Sequence, residues 1–169
     1  MMESLRQGRM DLAACILDTV PNDIYGKQIG SDSYSCLVNR NHPLSGQVVS
    51  MTDYIHADHI GISAGGDKIR AVDEALAKLK HQRKMKLTVP FIHSAMAITS
   101  RANYILTLPC RIAARLGPKY GLEILELPEQ LKIPASNYYL IWHQRLQSDP
   151  AHRYLRERML DSLGTDESL

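Results

Sequence analysis

The chain has 169 residues, close to the length of one average domain. Hydrophobic residues make up 44% and charged residues 22%, which are ordinary globular values and exclude a disordered or low-complexity chain. With 20 basic and 18 acidic residues, the net charge of +2 is too small to indicate a nucleic-acid or membrane-surface partner. No apolar run approaches the ~18 residues of a membrane helix. Residues 1–8 lack the apolar core of a signal peptide, so we expect a cytoplasmic protein.

Three cysteines occur, each inside an apolar run: Cys15, Cys36 and Cys110. They are far apart in sequence, and no C-x-x-C pair is present. An odd count without pairing motifs is typical of a reducing compartment. We therefore expect three buried thiols that pack as small apolar side chains.

Short apolar segments follow one another along the chain and predict strands. The predicted strands are residues 10–16, 34–38, 59–63, 86–89, 104–108, 122–127 and 138–143. Helical periodicity between them predicts helices at 67–79, 94–101 and 111–116, and a last helix that begins at Pro150 behind Asp149 as its N-cap. Strands separated by helices predict a largely parallel α/β sheet.

Two charged segments are predicted to be exposed to solvent. In the last helix, Leu155, Met159 and Leu163 share one face, and the opposite face, which includes Arg153 and Arg156, is predicted to be solvated. The basic run KHQRKMK at 80–86 is predicted to be a helix end and a solvated loop. Because no aromatic residues alternate with its charges, it does not indicate a nucleic-acid site.

The segment GISAG at 61–65 matches the G-x-S-x-G pattern of a hydrolase nucleophile elbow, with Ser63 as the nucleophile. Asp149 and His152 are the available acid and base later in the chain. However, two glycines and Asp67 separate Ser63 from the next predicted helix, whereas an elbow turns directly into its helix. Hydrolysis is therefore kept only as an alternative function.

The same loop has a second interpretation as a binding site. A Ser-Ala-Gly-Gly loop before a helix offers backbone N–H groups, a hydroxyl group and the positive end of a helix dipole. Such a loop at the carboxyl end of a strand favours contact with a carboxylate or another polar anion. His56 and His59 lie only three residues apart and lack a third ligand at a recognisable spacing, so we expect neither a metal nor a cofactor.

Several stretches, taken in order, resemble one known family. They are LRQGRMDLA, YSCLVNRNHPL, ADHIGISAGG, VDEALAKL, VPFIHSAMAI, ILTLPCRIA and the closing NYYLIWHQRLQSDPAHRYLRERM. Their order and spacing are similar to the C-terminal effector-binding domain of LysR-type transcriptional regulators, in the subgroup that includes nodulation-type regulators. The resemblance covers residues from about 5 to about 159, and the W-H and D-P-x-H-x-x-L-R patterns near the end carry most of it.

The resemblance implies a fold of two α/β subdomains with a central cleft, similar to type 2 periplasmic binding proteins. Residues 1–31 and 128–169 would form the first subdomain, and residues 32–127 the second. In the family, a winged helix-turn-helix, a linker helix and a first βα unit precede the LRQG segment. The resemblance therefore implies an incomplete first subdomain and contact with DNA only through a helix-turn-helix domain absent from this chain.

The resemblance also implies where an effector binds. Carried over, the site comprises Ile16 and Leu17 from the first subdomain and two loops of the second, with Ser63, Ala64 and Gly65 in one and Pro90, Phe91 and Ile92 in the other. This mostly apolar set with one hydroxyl suits a small organic acid, aromatic acids included.

The function that the resemblance implies is effector sensing in a homo-oligomer, without catalysis. The alternatives are a free-standing small-molecule-binding or oligomerisation module without DNA control, and the serine hydrolase that uses Ser63.

Overall fold

The fold is given by a computed structural model that describes residues 1–17, 19–63 and 68–164. In chain order the elements are α1 (Met2–Arg6), β1 (Ala13–Ile16), β2 (Ile24–Asp32), β3 (Tyr34–Asn39), α2 (Met51–His56), β4 (Asp58–Ile62), α3 (Lys68–Lys78), β5 (Lys84–Val89), α4 (Ile92–Thr99), β6 (Ile105–Pro109), α5 (Cys110–Leu116), β7 (Leu122–Leu125), β8 (Ser136–His143) and α6 (Pro150–Gly164). Short 3₁₀ turns at Gly117–Tyr120 and Gln144–Leu146 follow α5 and β8.

The chain divides into two compact units. Unit 1 comprises Met1–Asp32 and Ser136–Leu169, and unit 2 comprises Ser33–Ala135. Contacts therefore group residues 128–135 with unit 2, whereas the sequence resemblance assigned them to the first subdomain. Of the described helices, none combines the length and the apolar character that crossing a bilayer requires.

Unit 1 contains an antiparallel sheet in the order β1-β8-β2. The sequence did not predict β2, which pairs with β8 from Ile24 opposite His143 to Asp32 opposite Ser136. Its sequence IYGKQIGSD lacks a clear alternation because glycines interrupt it. One of them, Gly26, lies so close to its neighbours that an added Cβ would be 3.1 Å from a Val20 methyl group. Close packing at this position therefore favours glycine, although glycine weakens a strand.

The core of unit 1 is small. Leu5, Ile24 and Ile141 form its buried centre. Leu5 comes from α1, so this five-residue helix anchors the start of the chain to the strands. Arg145 strengthens the anchor, because its guanidinium donates to the carbonyl oxygen of Leu5 at 2.6 Å.

Helix α6 differs from its prediction in which face is buried. Leu155 is 45% exposed and Leu163 is 38% exposed, so the predicted apolar face is not a core face. The buried side chains are His152 and Arg156, at 7% and 6% exposure, and the prediction of a solvated Arg156 is wrong. The reason is the Trp142 ring, which lies 4.5 Å from the Arg156 guanidinium and shields it from water.

Unit 2 contains a five-stranded sheet in the order β5-β4-β6-β3-β7. Strand β4 runs parallel to β5 and β6, whereas β3 runs antiparallel to β6 and β7. The expectation of a largely parallel sheet is therefore wrong, because the described sheets are mixed in unit 2 and antiparallel in unit 1. The parallel part matches the strand–helix alternation of residues 58–109, where α3 connects β4 to its neighbour β5, and α4 connects β5 to β6 on the other side of β4.

The sheet of unit 2 has a buried core on each face. Alternate residues of β3 supply both, with Cys36 and Val38 on one side and Leu37 on the other. Helices α2 and α3 cover the first side, with Tyr54 and Leu76 fully buried there. Helices α4 and α5 cover the second. The sheet is therefore covered on both faces.

The turn-rich NRNHPL segment is held by side-chain hydrogen bonds. The Asn39 amide donates to the carbonyl oxygen of Ala102 at 2.7 Å, and its Oδ1 accepts from the backbone N–H of Asn41 at 2.8 Å. His42 accepts from the N–H of Leu44 through Nδ1 at 3.1 Å. These residues stabilise a turn at the end of β3.

All three cysteines are free, but only Cys36 is fully buried. Cys15 and Cys110 are half-buried, so the prediction of three buried thiols holds for Cys36 alone. The Cys110 sulfur lies 3.2 Å from the hydroxyl oxygen of Ser33.

Candidate functional site

Two neighbouring parallel strands of unit 2 end side by side. Strand β4 ends at Ile62, directly opposite Val89 at the end of β5. The next backbone N–H, that of Ser63, donates to the carbonyl oxygen of Val89 at 2.9 Å. This bond places Ser63 beside the loop that begins at Pro90. Carboxyl ends of parallel strands are the usual ligand-binding edge of such sheets.

A cavity of about 280 Å³ opens at this edge of the sheet. Its wall is mostly aliphatic, with a few polar exceptions. The lining residues are Tyr34, Ile60, Gly61, Ile62, Val72, Arg83, Pro90, Phe91, Ile92, Thr107, Leu108, Pro109 and Ile112. This volume lies near the lower end of the range for ligand pockets, and it suits a compact molecule of about one ring.

The structure places the sequence-predicted site residues unequally. Pro90, Phe91 and Ile92 line the cavity. Ser63 is exposed at the end of β4 and adjoins them through its backbone bond to Val89. Ala64 and Gly65 lie outside the described residues, as does Asp67, the predicted helix cap.

The two site residues predicted from the first subdomain belong to unit 1. Ile16 ends β1, and Leu17 packs against the core of that unit. Both side chains are half-buried. Their part in an effector site stays a prediction.

The loop at Phe91 presents an exposed ring beside a helix start. Phe91 is 67% exposed although it is large and apolar, and it occupies the N-cap position of α4. No side chain caps this helix through a hydrogen bond. Water or a ligand group therefore has access to its first N–H groups. His93, in the first turn, is engaged with the Tyr120 hydroxyl at 2.8 Å.

A buried polar network forms part of the cavity wall. Arg83 donates through Nε to one oxygen of Asp73 at 2.8 Å and through Nη2 to the other at 3.2 Å. Its side chain is 3% exposed, so the prediction of a solvated basic loop at 80–86 is wrong at Arg83. The Tyr54 hydroxyl lies 2.8 Å from the Thr107 hydroxyl, and it also hydrogen-bonds the Arg83 side chain. No pattern in the sequence predicted Arg83, Thr107 or Asp73 as site residues.

Burial keeps the Cys36 thiol and the Tyr54 hydroxyl of this network neutral. It raises the pKa of the Cys36 thiol to about 12, although the hydrogen bond with Thr107 acts in the opposite direction. Burial also raises the pKa of the Tyr54 hydroxyl well above its usual range. The network therefore presents one compensated ion pair, Arg83 with Asp73, and neutral hydroxyl and thiol groups.

His59 adjoins this network but is held in the core. The ring is fully buried, its Nε2 donates to the carbonyl oxygen of Tyr54 at 2.6 Å, and burial lowers the pKa of the imidazole to about 4. A neutral imidazole that donates a structural hydrogen bond accounts for this residue. In the parts of the chain that the structure describes, no three histidine, cysteine or acidic side chains gather as a metal site would require.

The residues required by the hydrolase alternative are engaged elsewhere. Asp149 caps α6, because its Oδ1 accepts from the N–H of His152 at 2.7 Å, and this cap was predicted. The His152 ring lies 3.0 Å from the carbonyl oxygen of Asp11 through Nε2 and 2.6 Å from the Arg156 guanidinium through Nδ1. Both ring nitrogens of His152 therefore have structural partners in unit 1.

Comparison with known proteins decides the family. A family model, the LysR substrate binding domain, matches residues 1–164. The chain belongs to this family. The LysR substrate-binding domain also aligns with full-length regulators: it is 26% identical to the HTH-type transcriptional activator NahR of Pseudomonas putida over 98% of this chain and 54% of that protein. It is 30% identical to the HTH-type transcriptional regulator LinR of Sphingobium indicum over 93% of this chain and 52% of that protein.

Solved structures support the same fold. The regulatory domain of MexT, a transcriptional activator in Pseudomonas aeruginosa, superposes with a TM-score of 0.80 at 27% identity, covering 95% of this chain and 78% of that one. The effector-binding domain of QuiR in complex with shikimate gives a TM-score of 0.80 at 20% identity, covering 99% and 78%. These likenesses confirm the predicted fold class, an α/β fold similar to that of type 2 periplasmic binding proteins.

This LysR substrate-binding domain spans about half the length of the curated relatives it matches. Those relatives are transcriptional regulators, and they align with it over their regulatory part. The predicted family is therefore confirmed.

Proposed function

We propose that this chain is a sensor domain that binds a small organic acid, with aromatic acids among the candidates, at the cavity of unit 2. The observation that carries the proposal is the cavity itself, which lies where β4 and β5 end and is lined by Pro90, Phe91 and Ile92. The exposed Phe91 ring and the start of α4, which no side chain caps, lie together at the cavity. They suit a ligand that has an apolar body and a carboxylate. The QuiR domain, which shares this fold, was solved with the small molecule shikimate.

We further propose that binding shifts the arrangement of a homo-oligomer and, in a longer protein, acts on DNA through a helix-turn-helix domain outside this chain. The relatives named above are HTH-type regulators, which supports this role. Thermodynamic linkage sets one condition: the effector has to bind one arrangement more tightly than the other.

The first test is a thermal melt of the 169-residue chain with a panel of small organic acids, benzoate and its hydroxylated derivatives included. An acid present at ~100 times its dissociation constant adds ~2.7 kcal/mol of stability, and we expect a rise in Tm of roughly 5–10 °C. No rise with any acid of the panel would overturn the proposed function.

Variants of the loops localise the binding. Ser63→Leu and Phe91→Ala should each lower the affinity at least tenfold, while the Tm without ligand changes by less than about 2 °C because both side chains are exposed. Ser148→Leu, an exposed serine in unit 1, is the matched control and should leave the affinity unchanged. Unaltered affinity in both loop variants would refute this location of the site.

We also propose that the chain is not a hydrolase. Because His152 is held by Asp11 and Arg156, and Asp149 caps α6, we expect Ser63 to lack an activating base. A fluorophosphonate probe followed by intact-mass measurement should leave the chain unlabelled. Labelling that Ser63→Ala abolishes would restore the hydrolase alternative.

A further inference from the structure

The wall of the unit 2 cavity includes a half-buried threonine whose hydroxyl group is not saturated by its neighbours. Thr107 lines the cavity and lies on β6, a central strand of the sheet. A threonine hydroxyl has one donor and two acceptor positions. Tyr54 uses one of them at 2.8 Å, and Cys36 uses another. One position remains for a group inside the cavity.

The charge beside Thr107 is already compensated. The Arg83 guanidinium also lines the cavity, but both Asp73 oxygens accept from it, at 2.8 and 3.2 Å. Adding a carboxylate here would place a second anion beside Asp73 and would cost its desolvation. A neutral polar group meets no such cost.

Apart from Tyr34, the other side chains of the wall are apolar, with Ile60, Ile62, Val72 and Leu108 among them. These side chains can only offer contact with hydrocarbon. A ligand that fills the cavity therefore has to combine an apolar body with a neutral hydrogen-bonding group at Thr107. A hydroxyl is the matching group, since it can either donate to Thr107 or accept from it, whichever position the network leaves open.

We propose that Thr107 is a specificity-determining residue that recognises a ring hydroxyl, so that the effector class is a single-ring hydroxy acid. This inference rests on the proposed function and deepens it. The carboxylate stays near Phe91 and the start of α4, the ring fills the aliphatic part, and the hydroxyl reaches Thr107. A cavity of about 280 Å³ accommodates one such ring.

The test compares benzoate with 2-, 3- and 4-hydroxybenzoate by calorimetric titration of the 169-residue chain. We expect at least one isomer to bind about fivefold more tightly than benzoate, the ratio that corresponds to one neutral hydrogen bond. Thr107→Val should reduce that ratio to about one while benzoate itself binds as before. Thr107→Ser keeps the hydroxyl and should keep the ratio. Thr88→Val, the same substitution at an exposed threonine on β5 outside the cavity wall, is the control.

Three results would overturn the proposal: no isomer binds more tightly than benzoate, the preference survives Thr107→Val, or none of the four acids binds. The proposed function itself fails only if no acid of the wider panel raises the Tm. The two failures are therefore distinguishable. Melting curves of the unliganded variants report whether each one is folded, and Thr107→Ser provides the comparison if Thr107→Val is unstable.

Discussion

Replacing Arg156 with alanine is expected to destabilise unit 1 by about 3 kcal/mol. The guanidinium donates to the carbonyl oxygens of Leu146 at 3.0 Å and Gln147 at 3.1 Å, and it lies 4.5 Å from the centre of the Trp142 ring. It also contacts Nδ1 of His152 at 2.6 Å. Alanine removes the cation–π contact, and it leaves two partly buried carbonyl oxygens and Nδ1 of His152 without their donor.

The measurement is urea unfolding followed by fluorescence. Trp142 is the single tryptophan of the chain and lies in unit 1, so its emission reports that unit. Arg153→Ala is the matched control, because Arg153 is exposed on the same helix, and it should cost less than about 0.5 kcal/mol. Equal losses in the two variants would show that the buried contacts of Arg156 contribute nothing.

Acid is expected to remove about 3 kcal/mol of stability from unit 2 through His59. Burial lowers the pKa of His59 from 6.5 to about 4. Between these values the unfolded chain binds a proton that the folded chain excludes, so the stabilising contribution is complete above pH 6.5 and is lost as the pH falls towards 4. Burial also lowers the pKa of His42, which adds to the loss in the same direction.

A difference between variants isolates the contribution of His59. The free energy of unfolding of His59→Gln should fall by about 3 kcal/mol less than that of the unsubstituted chain between pH 7 and pH 4. Urea titrations followed by far-ultraviolet circular dichroism measure this difference. His81→Gln, at an exposed position of the same unit, should retain the full pH dependence. If His59→Gln retains it too, His59 does not cause the acid sensitivity.

The sequence allowed prediction of those parts of the fold that local patterns determine. Strands β4, β5 and β6 are short apolar runs between helical repeats. Pro90, Phe91 and Ile92, in contrast, were predicted only from the resemblance to the LysR family, and they line the cavity. Strand β2 could not be found in this way, because its glycines and polar residues become a strand only when β8 pairs with them.

The sequence patterns also failed to predict which charged side chains are buried. Arg83 and Arg156 were both assigned to solvated surfaces, since a charged residue is most often exposed. Each is buried because its guanidinium donates to acceptors that lie outside its own helix or loop. Arg83 donates to the Asp73 carboxylate, and Arg156 donates to the carbonyl oxygens of residues 146 and 147. Helical periodicity contains no information about such partners. Thr107 escaped notice for the same reason: its role depends on Tyr54, 53 residues earlier.

The pairing of β1 and β2 with β8 has a consequence for how the chain folds during synthesis. Ile24 pairs with His143, so the ribosome has to add more than a hundred further residues before β2 meets its partner strand β8. Unit 2, by contrast, has all of its strands once residue 125 has emerged. We expect unit 2 to fold first, while β1 and β2 stay unpaired until β8 has been synthesised. Such late, long-range pairing is slow and exposes strand edges to aggregation during translation.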